Sequence, residues 1–175
     1  MEKNVAEGLT GNNVATNYHQ VVENKSYPKE IVDLNEVVKD CLSAVENELQ
    51  RINAIVRYDA LPLISGNKKK LLALFSNLFH SIIKHPPKAT KLFIYVRSQR
   101  SSSDIMDLSL PDGYQNFTIS VHTNILCNEA WQKVYEKALL ENSSLLHSIG
   151  GFFTFNSIVN TGCLYTLQLP GKPIE

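Results

Sequence analysis

Between Lys68 and His85 the chain carries Leu71, Leu74, Phe75, Leu78, Phe79, Ile82 and Ile83, apolar residues recurring at steps of three and four. That spacing puts all seven on one broad face of a helix. Pro86–Pro87 stops it, because proline has no N–H to give and disfavours a helical residue before it. So wide an apolar face has to be covered. The remaining question is whether other helices or a sheet do the covering.

The rest of the sequence answers with strands. KLFIYVRSQ (91–99) and NFTISVHTN (116–124) alternate apolar and polar residues. GFFTFNSIV (151–159) and CLYTLQLP (163–170) do the same and read as a hairpin, its turn holding Asn160 and Gly162. EIVDL (30–34), NAIVRYD (53–59) and LPLIS (61–65), the last closed by Gly66, are shorter extended pieces. RSSSDIMDLSLPDGYQ (100–115) is a polar connection with a Pro-Asp-Gly turn signal.

Two more helices are predicted. Asn35 can cap the first, and Val38, Cys41, Leu42, Val45, Leu49 and Ile52 give it one buried stripe through residue 52. The other covers 128–149, with Trp131, Val134, Tyr135, Ala138, Leu139, Leu145, Leu146 and Ile149 in register and Asn142 as its one polar break. Gly150–Gly151 ends it. The order predicts an α/β two-layer sandwich: a mixed β-sheet with about three helices on one face. Residues 1–27 are expected to be a flexible polar lead and 28–172 the domain.

Seventeen basic and seventeen acidic side chains cancel, so nothing in the bulk charge draws the chain to nucleic acid or an acidic membrane surface. Cys41, Cys127 and Cys163 are odd in number and form no C-x-x-C pair, which predicts buried free thiols rather than a zinc site or disulfide framework. No membrane segment and no signal-peptide core are visible, and a reducing, cytoplasmic setting is expected.

Three segments in order resemble the ATP-binding domain of sensor histidine kinases, the Bergerat-type fold shared with gyrase-type ATPases. EIVDLNEVVKDCL is similar to the strand and helix that open that domain. LPLISGNKKKLLALFSNLFHSIIKH resembles its L-P-x-x-x-G-D and N-L-x-x-N-A-x-K-H patterns. GGFFTFNSIVNTGCLYTLQLP resembles its closing hairpin. The resemblance implies ATP with Mg²⁺ as cofactor where such a site is active, and a response regulator or partner kinase as partner.

Matched position by position, the resemblance implies nucleotide-binding places at Asn77, Ser81, Lys84, Thr123 and Asn124. Ser81 stands where the family has its Mg²⁺-binding Asn, a shorter oxygen donor for a hard cation. Thr123 replaces the Asp that accepts from the adenine amine, with Ile125 and Cys127 on glycine positions. The phosphate-binding glycines fall on Glu136 and Ala138, inside the 128–149 helical pattern, whose N–H groups would already be bonded within the helix.

His80 lacks the surroundings of a phosphoacceptor, and its distance from His85 does not suit two metal ligands on one helical face. Lys68–Lys70 reads as a solvated first turn, and Trp131 with Tyr135 as core. No nucleophile constellation is visible, so no catalytic residue and no metal ligand are assigned. The expectation is a degenerate ATP-binding domain, a pseudokinase or interaction module with no bound cofactor. The alternatives are an active kinase domain or a phosphotransferase subunit; an oligomer is compatible with either.

Overall fold

A computed structural model describes residues 30–88, 90–100, 113–126, 142–149, 151–158 and 161–172. Strand β1 (Ile31–Asp33) runs into α1 (Leu34–Ala44). Asp33 rather than Asn35 is the cap: its backbone is extended, and its Oδ1 accepts the Asn35 N–H at 2.8 Å. Asn35 lies within the first turn and braces a loop instead. Its Oδ1 accepts the Leu61 N–H at 2.9 Å while its Nδ2 donates to the Leu61 carbonyl at 2.8 Å. A primary amide presents donor and acceptor as a peptide does, so Asn35 serves Leu61 as a strand neighbour would.

The helix expected to run through residue 52 is two. Val45 leaves helical geometry at φ −112°, ψ 15°, and α2 (Glu46–Arg51) restarts behind it. The apolar stripe survives the break, since Val38, Cys41, Val45 and Leu49 are all buried. Then follow β2 (Ile55–Tyr58), β3 (Leu63–Ser65) and α3 (Lys68–Ile83). Asn67 caps α3 by accepting the Lys70 N–H at 3.1 Å. All seven apolar residues of its broad face are buried, each contributing about 1.5–3 kcal/mol of gross transfer free energy.

The remaining strands are β4 (Phe93–Arg100), β5 (Gln115–Thr123), β6 (Phe152–Ile158) and β7 (Gly162–Lys172). The sheet is ordered β1-β3-β7-β5-β4-β2, with β6 also on β7. Only β2–β4 is a parallel pair among these, so the sheet is mixed as expected. Alternation sorts the two faces. Ile94, Val96, Ile119, Val121, Tyr165 and Leu167 are buried in one core with the apolar faces of α1 and α3. Tyr95, Arg97 and His122 stand on the opposite, half-buried face.

Of the third predicted helix, residues 128–141 lie outside the described residues. Residues 142–147 are helical, with Leu146 and Ile149 buried, and Gly151 closes the segment by donating its N–H to the Leu146 carbonyl at 2.8 Å. The predicted lead 1–27 and most of the polar connection at 100–115 also fall outside. No helix among the described residues is long and apolar enough to cross a membrane.

Candidate functional site

The polar side of α3 is as ordered as its apolar side. Lys70, Asn77, Ser81 and Lys84 recur at helical spacing and line one stripe. At its start, Lys70 Nζ donates to Ser148 Oγ at 3.0 Å, which turns that end of the stripe toward the 142–149 segment. Asn77 and Lys84 are exposed and Ser81 is half-buried. The structure therefore brings three of the five sequence-assigned residues onto one helical stripe.

Their chemistry differs from their placement. Ser81 Oγ donates to the Asn77 carbonyl at 2.8 Å, so its hydroxyl is folded back along its own helix. A side chain held that way reaches outward less far than an Asn amide would. Lys84 sits at the C-cap, where its charge suits the carbonyl end of the helix. His80 Nδ1 lies 2.8 Å from the Ser76 carbonyl, which fixes the ring on the helix surface.

Thr123 and Asn124 close β5. Thr123 pairs with Ile94 on one side and Cys163 on the other, placing it on the helix-covered face. It is 6% exposed, and its Oγ1 has no hydrogen-bond partner among the described residues. Asn124 is fully engaged by contrast. Its Oδ1 accepts the Phe93 N–H at 2.8 Å, and its Nδ2 donates to the Lys91 carbonyl at 2.8 Å and to Thr90 Oγ1 at 3.2 Å. The sequence assigns Asn124 to nucleotide; the structure uses it to fix where β4 begins. These partners lie more than thirty residues away along the chain, so no local pattern signals them.

Beyond Asn124 the chain is anchored by apolar burial. Ile125 is 2% exposed, and its backbone keeps a negative φ, since Asn53 alone among described non-glycine residues has a positive one. Gly162 presses against the same corner. At φ +144°, a Cβ on it would meet the Thr123 carbonyl oxygen, so only glycine fits. Cys163 Sγ touches the Ile125 carbonyl at 3.0 Å. Cys163 is disulfide-bonded, which corrects the reading of three free thiols. Spacing along the chain does not report Cα separations, and those decide pairing.

Cys41 is the free thiol expected. Burial first, then Asp40, raises its pKa against the lowering effect of its hydrogen bond to Ser76. Cys127, Glu136 and Ala138, on which the expected loss of the phosphate-binding glycines rests, lie outside the described residues, as do Trp131 and Tyr135. Among the described residues no cluster of three His, Cys, Asp or Glu side chains is placed to hold a metal ion. Among the described residues the buried Asn142 Oδ1 and Arg97 Nε also have no hydrogen-bond partner. The sequence marked Asn142 only as a break in an apolar stripe.

No family model and no curated protein sequence matches the chain. Solved structures do. Histidine kinase AdeS of Acinetobacter baumannii aligns at a TM-score of 0.63 and 12% identity, over 80% of this chain and 66% of that one. The nucleotide-free catalytic domain of histidine kinase ThkA aligns at 0.61 and 14% identity, over 83% of this chain and 98% of that domain. ThkA in complex with the response regulator TrrA aligns at 0.57 and 14% identity, over 82% of this chain and 42% of that one. The chain thus has the fold of the histidine-kinase ATP-binding domain.

Proposed function

We propose that this chain is a degenerate ATP-binding domain of the sensor-kinase type, a cytoplasmic pseudokinase that acts in two-component signalling by binding a response regulator or a partner kinase. Residues 28–172 are its working unit and 1–27 its lead. The observation that carries this reading is the engagement of Asn124, whose three hydrogen bonds all go to the start of β4. Ser81, turned back onto Asn77, and the neutral, buried Thr123 point the same way. Each polar contact not made to a nucleotide costs about 1–3 kcal/mol. Two such losses lower affinity by roughly two or more powers of ten.

ATP with Mg²⁺ would supply phosphoryl-transfer chemistry in an active domain of this fold. The residues described here fit it poorly, and no step is routed through it. One structure of this fold, ThkA, was solved in complex with a response regulator protein, which supports the signalling role; another, full-length ShkA, was solved with the nucleotide analogue AMPPNP, which favours the active alternative. The exposed Asn77 and Lys84, which keep the residue types of the resembled pattern, also favour an active domain. Calorimetric titration with Mg-ATP separates the two readings. The pseudokinase gives no saturable heat in the micromolar range, and micromolar affinity would overturn it.

A further inference from the structure

We infer that the end of β2 together with Asp59 and Ala60 just after it is a self-association edge, along which a second copy of this chain adds the same segment, 56–60, in antiparallel register. The backbone presents the means. Ile55 and Asp59 donate their N–H groups inward, to the carbonyls of Leu92, just before β4, and of Val96 within it, at 2.8 and 3.0 Å. Alternation then turns the N–H and C=O groups of Val56 and Tyr58 outward. Among the described residues no strand pairs with that side.

The three edges of the sheet are protected unequally. β1 is three residues long and passes straight into α1. β6 carries exposed Thr154, Asn156 and Ser157. β2 reads Ile-Val-Arg-Tyr, with Ile55 and Tyr58 both more than 40% exposed and no lysine, proline or bulge within it. Beside it an open groove of about 580 Å³ is lined by Val56, Arg57, Tyr58, Asp59, Phe93 and Tyr95.

Charge selects the occupant. Arg57 and Asp59 project from one face of the strand, two residues apart. A two-fold axis through Tyr58 sets Arg57 of each copy opposite Asp59 of the other, giving two symmetric ion pairs. Both residues spend their N–H groups inward or lie in that phase, so they meet as a non-hydrogen-bonded pair, the closer of the two kinds. The two Tyr58 backbones exchange N–H···O=C bonds at the centre. Asp59 Oδ2 already accepts from Tyr95 Oη at 2.7 Å, leaving Oδ1 for the arginine. Pro62, with no N–H, limits the ladder at one end, and the turn at Asn53 (φ 50°) limits it at the other.

Sedimentation equilibrium of the whole chain, from low micromolar to near-millimolar concentration, reads the proposal directly. The parent shows a monomer–dimer equilibrium. Arg57→Asp sets like charges opposite each other and weakens the dimer by about tenfold or more. The double variant Arg57→Asp/Asp59→Arg restores it, because the pairing is preserved with its signs exchanged. Val56→Pro removes an outward N–H at the cost of some side-chain packing; its dimer is lost while its far-ultraviolet circular dichroism matches the parent's. A monomer at every concentration overturns the inference. So does an Arg57→Asp variant that dimerises as the parent does, or a double variant that fails to recover.

Discussion

Between α1 and α3, the buried Cys41 thiol meets the Leu72 carbonyl at 3.5 Å and the Ser76 hydroxyl at 3.4 Å, and Asn35 satisfies both backbone groups of Leu61. At the C-terminal end of β5, the Thr123 hydroxyl is also buried and has no such partner among the described residues; the same is true of the Asn142 amide oxygen on the 142–149 segment. One half of the core carries stability with its polar atoms paired. The other contains orphaned polar atoms, each costing about 1–3 kcal/mol when buried. The contrast separates a region whose buried polar groups are paired from one whose are not, and it can be broken at specific residues.

The largest effect belongs to the paired half. Phe75 is fully buried and its ring packs against that of Phe79 at 6.2 Å. Phe75→Ala should cost about 3–5 kcal/mol, the lost transfer free energy plus the cavity left behind. Urea unfolding followed by circular dichroism checks this. A loss below about 1 kcal/mol would mean that α3 is not the centre of the core.

Next comes Asn124, where the two halves meet. Asn124→Ala removes three hydrogen bonds and leaves the Phe93 N–H without its acceptor. The expected cost is about 2–3 kcal/mol, visible as a lower melting temperature. Mg-ATP should not change that temperature in the parent or the variant. A nucleotide-dependent rise in the parent that Asn124→Ala abolishes would return Asn124 to a binding role.

Asn124 also marks the limit of what the residues alone declare. The layers were legible because burial writes a period: 3.6 through Leu71–Ile83, two through Phe117–Val121. A period is blind to single backbone residues, so Val45 can leave the helix while Val38, Cys41 and Leu49 keep their phase. It is equally blind to partnership. Asp33 and Asn35 are both good capping residues, and only the distant Leu61 explains why the second is used elsewhere. Of the five residues that the resemblance assigns, helical spacing told that Asn77, Ser81 and Lys84 share one stripe of α3, and only the resemblance attached nucleotide to them. The engagement of Asn124 and the burial of Thr123 depend on β4 and β7, which no local window contains.

A smaller effect, opposite in sign, tests the unpaired half. Thr123→Val deletes a hydroxyl with no partner while keeping a β-branched shape beside Ile94 and Cys163. It should leave stability unchanged or raise it by up to about 1 kcal/mol, because the orphaned group no longer has to be desolvated. Asn142→Leu should move the same way. Chemical denaturation of each variant decides it. A loss above about 1 kcal/mol for Thr123→Val would show that the hydroxyl has a partner after all.

The smallest effect lies one residue away on the other face of β5. His122 packs its ring against Tyr95 at 6.4 Å, and its pKa is lowered from 6.5, first by burial and then by the Arg97 charge. The unfolded chain therefore binds its proton more readily than the folded one. Where the unfolded state holds more protons, stability rises with pH. The contribution is complete above 6.5 and is lost as pH falls below it toward the depressed folded value. His85 is shifted the same way by burial and Lys84, so the parent alone does not isolate His122. His122→Gln does: comparing parent and variant at about pH 5.5 and about pH 7.5 should show a smaller acid loss in the variant. Solvent on this face screens the Arg97 charge and keeps the difference small. If the two proteins lose stability in parallel, the outer face is indifferent to protonation at His122.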